Sequence, residues 1–147
     1  MSLELTATMD DRHLDLSLRV ADGETLAILG PNGAGKSSAL GAIAGILRPD
    51  TGRATLGDET LFDLPGVWRP AHARGTALLA QDPLLFPHLS ALDNVAFGPR
   101  SQGRGRAESR ALAATWLAEV DAIELGARKP AHLSGGQAQR IAVARAL

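Results

Sequence analysis

Apolar and polar residues alternate in two short runs at the start of the chain. The runs "LELTAT" and "LDLSLRV" place every second side chain on one face, which predicts two half-buried strands joined by a turn at "MDDRH". Two later runs, "ETLAIL" and "TALLAQ", are almost continuously apolar, as is typical of parallel strands buried on both faces. The runs "RATLG" and "ETLFDL" flank Asp58 and predict a hairpin.

The other patterns along the chain are helical. After the glycine-rich stretch Gly30 to Ser38, apolar residues recur at helical spacing until Arg48-Pro49 ends the pattern. These residues are Leu40, Ile43, Ala44 and Leu47. From Pro83 onward a short helix is followed by a longer one with a single apolar face, formed by Leu112, Trp116, Leu117 and Val120. The chain closes on the helical pattern "LSGGQAQRIAVARAL". The whole pattern predicts an α/β fold with a mostly helical second part.

Composition narrows the class of protein. The 147 residues suffice for one domain, and the 45% hydrophobic and 21% charged residues are typical of a soluble globular protein. A formal net charge of −1 argues against a chain built to hold nucleic acid or an anionic membrane. Because there is no cysteine, disulfides and thiolate metal sites are excluded, which fits a cytosolic protein.

The stretch "GPNGAGKSS" carries the clearest chemistry. It fits G-x-x-x-x-G-K-[ST], in which backbone N–H groups converge on an anion and the next helix directs its positive end at it. Lys36 can reach the terminal phosphates of a nucleotide, and the Ser37 hydroxyl is a candidate Mg²⁺ ligand. A plain glycine-rich turn is the alternative, and the strand before and helix after make it the weaker one. The predicted nucleotide-binding residues are Gly30, Pro31, Asn32, Gly33, Ala34, Gly35, Lys36, Ser37 and Ser38.

A second glycine motif, "LSGGQ", lies near the end of the chain. Ser134 and Gln137 have the spacing of a capping box, which by itself explains a helix start. A cap does not require Gly135 and Gly136, each of which costs a helix about 0.5–1 kcal/mol relative to alanine. The two glycines therefore predict that an anion or another backbone closely approaches this helix start.

In chain order, "GPNGAGKSS", "LLAQD" and "LSGGQAQRIAVARAL" resemble the ATP-binding-cassette (ABC) family over nearly the whole chain. The resemblance implies that Gly30 to Ser38 form the Walker A loop and that Gln81 is the Q-loop glutamine, close to Mg²⁺ and the attacking water. It also implies that Ser134 to Gln137 are the signature motif, which meets ATP held by a second subunit in a head-to-tail dimer. Lys36 and Gln81 would be the catalytic residues, Ser37 and Gln81 the metal ligands, and ATP and Mg²⁺ the cofactors.

The family fold implied is a P-loop NTPase (RecA-like) core with N-terminal antiparallel strands and a helical subdomain. The expected division of the partial domain 1–147 is a core over 1–82 and a helical part over 83–147. Family members continue after "ARAL" into a strand that carries the Walker B aspartate and a catalytic glutamate. We therefore expect a C-terminally truncated chain with an incomplete sheet, an uncovered helix face at Ile141, Ala144 and Leu147, and no ATP turnover on its own.

The chain also departs from the family pattern at the residue that would stack on the adenine base of ATP. Family members often stack adenine on an aromatic residue before the loop, whereas His13 is the only ring upstream of Gly30. An exposed turn histidine is favoured over a base platform at this position, so how the adenine is held stays open.

The segment "QDPLLFPHLSALDNVAFG" resembles the surface of bacterial importer subunits that receives a helix of the membrane permease. Phe86 would belong to that surface, with plain burial as an equal alternative. The resemblance is to molybdate/tungstate-type importers, although sulfate, polyamine and sugar importers share much of the segment. The implied partners are a second ABC subunit, permease subunits and, indirectly, a solute-binding protein, at the inner face of the cell membrane.

Other classes fit less well. The arginines of the run 100–110 have no interleaved aromatic residues, so a solvated face is favoured over nucleic-acid binding. A DNA-maintenance ABC protein would carry a long insertion between the two glycine motifs, and a GTPase would carry N-K-x-D. A truncated fragment that binds nucleotide without hydrolysing it remains an alternative.

Overall fold

The computed structural model describes residues 1–147 as two compact units, Met1–Leu78 and Leu79–Leu147. The boundary predicted after residue 82 lies slightly further along the chain. The assignment of 1–82 and 83–147 as core and helical subdomain stays a prediction.

A five-stranded antiparallel sheet forms the first unit, with strand order β2-β1-β3-β4-β5. The strands are β1 (Leu3–Met9), β2 (Leu14–Val20), β3 (Thr51–Leu56), β4 (Glu59–Asp63) and β5 (Val67–Trp68). A 3-10 turn at Asp10–Arg12 joins the first two strands, and His13 follows it with a left-handed φ of 48°. Both predicted N-terminal strands and the hairpin around Asp58 are confirmed.

The inward face of the sheet follows the alternation seen in the sequence. Leu5 and Ala7 of β1 are buried with Ala54, Leu61 and Phe62 of the neighbouring strands. Because successive strand residues point to opposite faces, the polar residues between them lie on the outer face. The sheet therefore buries one apolar side, against which the first helix packs.

Helix α1 (Lys36–Ala44) buries most of the predicted face together with small residues that the pattern did not mark. Ala39, Gly41 and Ala42 are buried, whereas Leu40 is 45% exposed. Small side chains allow the helix backbone to approach its neighbours closely, and a Cβ on Gly41 would lie 3.0 Å from Leu47 Cδ1. The predicted apolar face is confirmed at Ala44, which is buried, and at Ile43 and Leu47, which pack against buried clusters. It was wrong at Leu40, because close packing selected small residues there.

The two continuously apolar runs do not form strands, contrary to prediction. The backbone of Thr25–Leu29 and of residues 76–79 makes no hydrogen bond within the chain, and Leu29 is 89% exposed. A strand of a parallel sheet exists only when neighbouring strands pair with its edges, and no strand of the chain pairs with either run. The apolar pattern identifies residues suited to burial, but it does not provide the neighbouring strands that a buried strand must pair with.

Four helices build the second unit. They are α2 (Ala91–Val95), α3 (Phe97–Ser101), α4 (Arg106–Glu119) and α5 (Gly135–Ala146). Leu117 of α4 and Ile141 and Ala144 of α5 are fully buried in one cluster with α2, and Trp116 and Val120 pack against it. The predicted apolar face of α4 is confirmed at Trp116, Leu117 and Val120, whereas Leu112 is half-buried and lies outside the cluster.

The expectation of an uncovered α5 face was wrong for Ile141 and Ala144. These residues pack in the cluster shared with α2 and α4, which cover that side of the helix. Only Leu147, at 61% exposure, stays in solvent. No helix of the chain has the length and apolar character needed to span a membrane.

An ion pair ties α2 to α4. Arg110 donates from both Nε and NH2 to the two carboxylate oxygens of Asp93, each at 2.8 Å. These hydrogen bonds hold the pKa of the Asp93 carboxyl below its usual range, opposed by burial and assisted by the Ser90 hydroxyl. Asp93 therefore stays ionised to lower pH in the folded chain than in the unfolded one.

We expect Asp93→Asn to destabilise the chain near neutral pH, with a difference from wild type that fades on acidification. A depressed folded-state pKa adds stability above the unfolded pKa of about 4, and that stability is lost as pH falls through the lower folded value. Urea unfolding of both chains across this range measures the effect. Glu119→Gln, at an exposed residue without an ion pair, is the matched control. A gap between wild type and Asp93→Asn that persists below the folded pKa would contradict the assignment.

Candidate functional site

The loop from Gly30 to Gly35 leads directly into α1. Gly33 and Gly35 have φ angles of 85° and 80°, in the left-handed region that residues with a Cβ adopt at a cost. Gly35 is also the N-cap of the helix. The two glycines thus allow the chain to turn sharply and present successive N–H groups.

Packing behind the loop also requires glycine. A Cβ on Gly35 would lie 2.6 Å from Leu14 Cδ1, closer than real side chains approach. Leu14 is the first residue of β2 and is itself buried. The loop backbone at Gly35 therefore rests directly on the side chain of Leu14, at the edge of the sheet.

Most backbone donors of this loop are free. Between residues 33 and 38 only the Ala34 N–H has an acceptor in the chain, the Pro31 carbonyl at 3.3 Å. The other N–H groups lie at the positive end of the α1 dipole, where a phosphate is favoured. A cluster of unpaired N–H groups at one helix start is the geometry that anion binding requires.

Lys36 and Ser37 have different surroundings. The Lys36 ammonium donates to the carbonyls of Gly30 at 2.8 Å and Pro31 at 2.6 Å, so it closes over its own loop. The Ser37 side chain is exposed and bonded to nothing in the chain, whereas Ser38 is buried. Pro31, Asn32, Gly33 and Ala34 are exposed along the rim of the loop.

The second glycine motif begins α5. The Gln137 N–H donates to Ser134 Oγ at 3.3 Å and the Ser134 N–H donates to Gln137 Oε1 at 3.0 Å, which confirms the predicted capping box. Gly135 and Gly136 are exposed, their N–H groups have no acceptor in the chain, and a Cβ on either would meet nothing within 4 Å. The chain's own packing therefore does not require glycine at these two positions.

The sequence pattern predicts that Gln81 ends a strand, and this is wrong. Gln81 lies exposed in an irregular segment. The segment is attached to α5, because Gln139 Nε2 donates to the Ala80 carbonyl at 3.5 Å and Arg145 donates to the carbonyls of Pro83 and Leu84. The second unit thus brings the Gln81 segment together with the helix that carries Ser134 to Gln137.

Phe86 is half-buried beside this segment. Its ring centroid lies 4.7 Å from that of Phe97 and 6.2 Å from that of His88. Phe97 is 48% exposed and Leu84 is 69% exposed. The rings of Phe86, His88 and Phe97 form a partly exposed cluster, and the exposed Leu84 lies two residues before Phe86 in sequence. We call these four residues the Phe86 surface.

Sequence reasoning missed two arginines. Arg74 is fully buried, and its NH1 donates to the Ala42 carbonyl at 2.6 Å and the Ile43 carbonyl at 3.0 Å. Arg145 had a detectable signal, because it lies four residues after the buried Ile141 on the apolar side of the helical pattern. Arg74 follows a loop without periodicity, so no local pattern marked it.

His13 is exposed, which confirms the prediction of an exposed turn histidine. His13 ends the turn between β1 and β2 and directly precedes Leu14.

Two known proteins are strongly similar to the chain in sequence. The chain is 57% identical to the molybdenum import ATP-binding protein ModC of Mycobacterium tuberculosis (strain CDC 1551 / Oshkosh), over 99% of the chain and 41% of that protein. It is 45% identical to the Fe(3+) ions import ATP-binding protein FbpC of Agrobacterium fabrum (strain C58 / ATCC 33970), over 90% of the chain and 36% of that protein. The chain thus spans less than half the length of these curated relatives.

Among solved structures, the chain resembles the dimeric structure of a post-hydrolysis state of the ATP-binding cassette MJ0796 bound to ADP and Pi. The TM-score is 0.80 at 29% sequence identity, over 99% of this chain and 68% of that one. The fold is therefore that of an ABC ATPase cassette, with a mixed α/β structure and an open antiparallel sheet.

A family model described as "ABC transporter" matches residues 14–147, which include both glycine motifs and the segment around Gln81. With the loop geometry and the relatives just described, this match shows that the chain belongs to the ABC transporter family.

Proposed function

We propose that the chain is the ATP-binding part of the ATPase subunit of an ABC importer. The observation that carries the proposal is a pair of helix starts with free N–H groups, one at the end of the Gly30–Gly35 loop and one at Gly135–Gly136. Gly35 directly precedes the first helix, and Gly135 and Gly136 form the first turn of the second. Both helix starts are accessible from solvent. A single phosphate loop would suit many nucleotide-binding proteins, whereas the second glycine helix start is the distinguishing feature.

The first helix start holds the phosphates of ATP. The free N–H groups between residues 33 and 38 and the Lys36 ammonium supply donors and positive charge, and the exposed Ser37 hydroxyl supplies an oxygen for Mg²⁺. Bound Mg²⁺ would neutralise phosphate charge, which is its usual contribution to phosphoryl transfer. The residues present fit this ligand, because the N–H groups of Gly33 and Gly35 have no acceptor in the chain and a Cβ on Gly33 would meet nothing within 4 Å.

The second helix start meets ATP held by another copy of the subunit. Gly135 and Gly136 leave open space above N–H groups that have no acceptor within the chain, which suits a phosphate arriving from a partner. Ser134 adds a hydroxyl at the same helix end, and Gln137 holds it in place. The solved cassette with the same fold is a dimer, which favours a head-to-tail homodimer for this chain.

Gln81 and the Phe86 surface would connect the nucleotide to the membrane. Gln81 is exposed and so is accessible to Mg²⁺ and the attacking water. The Phe86 surface has exposed Leu84 and Phe97 side chains, which suits contact with the apolar face of a permease helix. The subunit would then act on the inner face of the cell membrane, with a solute-binding protein engaged only through the permease.

For the solute we propose molybdate or a similar oxyanion. The support is the higher identity to the molybdenum import protein, 57% against 45% for the iron import protein. The solute itself would contact the permease and the solute-binding protein rather than this chain, so the proposal rests on relatedness alone.

We expect Lys36→Ala to reduce Mg-ATP affinity at least tenfold, because the loop loses its one ammonium group. Lys129 is the only other lysine and is exposed, so Lys129→Ala is the matched control and should leave the affinity unchanged. Titration calorimetry with Mg-ATP measures both. Equal affinities for the two variants would contradict the assignment of the loop.

In the same preparations, we expect no steady release of phosphate by the 147-residue chain. The carboxylates that the family uses to hold Mg²⁺ and orient water follow the signature helix in sequence, and this chain supplies no counterpart to them. A steady turnover that is lost in Lys36→Ala would show this expectation to be wrong.

We expect Gly136→Ala to keep or raise the free energy of unfolding, by up to about 1 kcal/mol, because alanine favours a helix and meets no neighbour. The same change should weaken dimerisation in Mg-ATP, because the methyl group occupies the space above the free N–H groups. Gly98→Ala, a helical glycine with similarly open surroundings, is the control and should leave dimerisation intact. Chemical unfolding and sedimentation velocity with Mg-ATP give the two quantities. Unimpaired dimerisation of Gly136→Ala would contradict the role of this motif.

A further inference from the structure

Arg145 lies in the last turn of α5, at the opposite end from the Gly135–Gly136 start. Its NH1 donates to the Leu84 carbonyl at 2.9 Å and its NH2 donates to the Pro83 carbonyl at 3.1 Å. The guanidinium carbon lies 5.8 Å from the centroid of the Phe86 ring. One side chain thus contacts three residues of the segment that follows Gln81.

Between Ala80 and Leu85 the segment has no other hydrogen-bonded support. Phe86, at its far end, is held by the buried Asn94, whose Oδ1 accepts from the Phe86 N–H at 2.8 Å and whose Nδ2 donates to the Phe86 carbonyl at 3.1 Å. Residues 80–85 make no backbone hydrogen bond to one another, and every hydrogen bond they make within the chain comes from Gln139 or Arg145 of α5. Leu84 has a φ of 45°, a left-handed conformation that a leucine adopts at a cost, and its side chain is 69% exposed. Leu85 packs against the helical cluster, whereas residues 80–82 and Leu84 are exposed and gain no support from burial. Arg145 supplies two of the three hydrogen bonds that residues 80–85 make.

The guanidinium suits this task better than another cation would. Its planar donors reach two successive carbonyl oxygens at once, whereas an ammonium group has no such fixed pair of directions. Arg145 has no carboxylate partner, so its donors are free for these carbonyls. A helix advances 1.5 Å per residue, so α5 connects the Gly135 start to Arg145 as a stiff rod of about 15 Å.

We propose that Arg145 is a positioning residue that fixes the Gln81 segment to the signature helix, so that nucleotide engagement at Gly135–Gly136 is transmitted to Gln81. The transmission rests on the proposed function, in which both motifs contact ATP. The attachment itself does not, because it is formed by contacts within residues 79–147. Arg145 touches neither nucleotide nor metal in this account and acts through the backbone carbonyls of Pro83 and Leu84.

The absence of cysteine allows a direct test. Asp82 is exposed and makes no hydrogen bond, so Asp82→Cys carries a single nitroxide label beside Gln81. The label is recorded by electron paramagnetic resonance in the reference chain and with Arg145→Ala or Arg145→Lys added. Arg140→Ala is the matched control, because Arg140 lies on the same helix and donates instead to the Asp121 carbonyl. Circular dichroism verifies that each variant keeps its helices, and titration calorimetry gives its Mg-ATP affinity.

Without nucleotide, we expect the label to be most mobile in Arg145→Ala, intermediate in Arg145→Lys and unchanged in Arg140→Ala. With Mg-ATP at a concentration that supports dimers, we expect the label to respond in the reference chain and not in Arg145→Ala, while the affinity of the phosphate loop stays within twofold. Equal label mobility in Arg145→Ala and the reference chain would overturn the proposal, as would equal mobilisation by Arg140→Ala. A reference chain that fails to bind Mg-ATP would instead overturn the proposed function, and the mobility without nucleotide would still decide the role of Arg145.

Discussion

A buried arginine holds the phosphate-loop helix from behind. Arg74 donates to the carbonyls of Ala42 and Ile43 in the last turn of α1, and its guanidinium lies 4.3 Å from the centroid of the Trp68 ring. Burial lowers the pKa of the Arg74 guanidinium, a desolvation cost that the carbonyls and the negative end of the helix dipole offset. The contact is so close that a Cβ on Gly45 would lie 2.6 Å from Arg74 Nε. The carbonyl end of α1 is thus fixed to the edge of the sheet, which leaves its N–H end as the free, positively polarised one.

Each glycine motif begins a helix that has free N–H groups at its start and an arginine at its C-terminal end. Helix α1 receives a guanidinium at its C-terminal end and has free N–H groups at its start. Helix α5 also has free N–H groups at its start, and its own Arg145 reaches outward from its last turn to the segment after Gln81. In both cases an arginine and backbone carbonyls act at one end of the helix and a phosphate would act at the other. The chemistry proposed for the chain depends on N–H groups that its own fold leaves without acceptors.

Local patterns predicted the parts of this arrangement that depend on neighbours in sequence. The antiparallel strands, the Asp58 hairpin and the Ser134–Gln137 capping box all follow from short-range alternation or spacing, and all three are present. The runs at residues 24–29 and 76–81 show the limit of such patterns, because a buried parallel strand requires partners that periodicity cannot supply. The burial of Ala42 escaped for a related reason, since its packing with Met9 and Leu14 joins residues distant in sequence. Arg74 and Arg145 act on carbonyls distant in sequence, and only the folded chain reveals those contacts.

If the free N–H groups at the two glycine helix starts contact phosphate, their amide signals must respond to nucleotide. Amide NMR spectra of the 15N-labelled chain, titrated with Mg-ATP at low and at high protein concentration, measure that response. We expect the N–H signals of residues 33–38 to shift at both concentrations, and those of Gly135 and Gly136 to shift only at the concentration at which dimers form. Shifts that bypass residues 33–38, or signals of Gly135 and Gly136 that stay unmoved in a nucleotide-bound dimer, would contradict this assignment of the phosphate contacts.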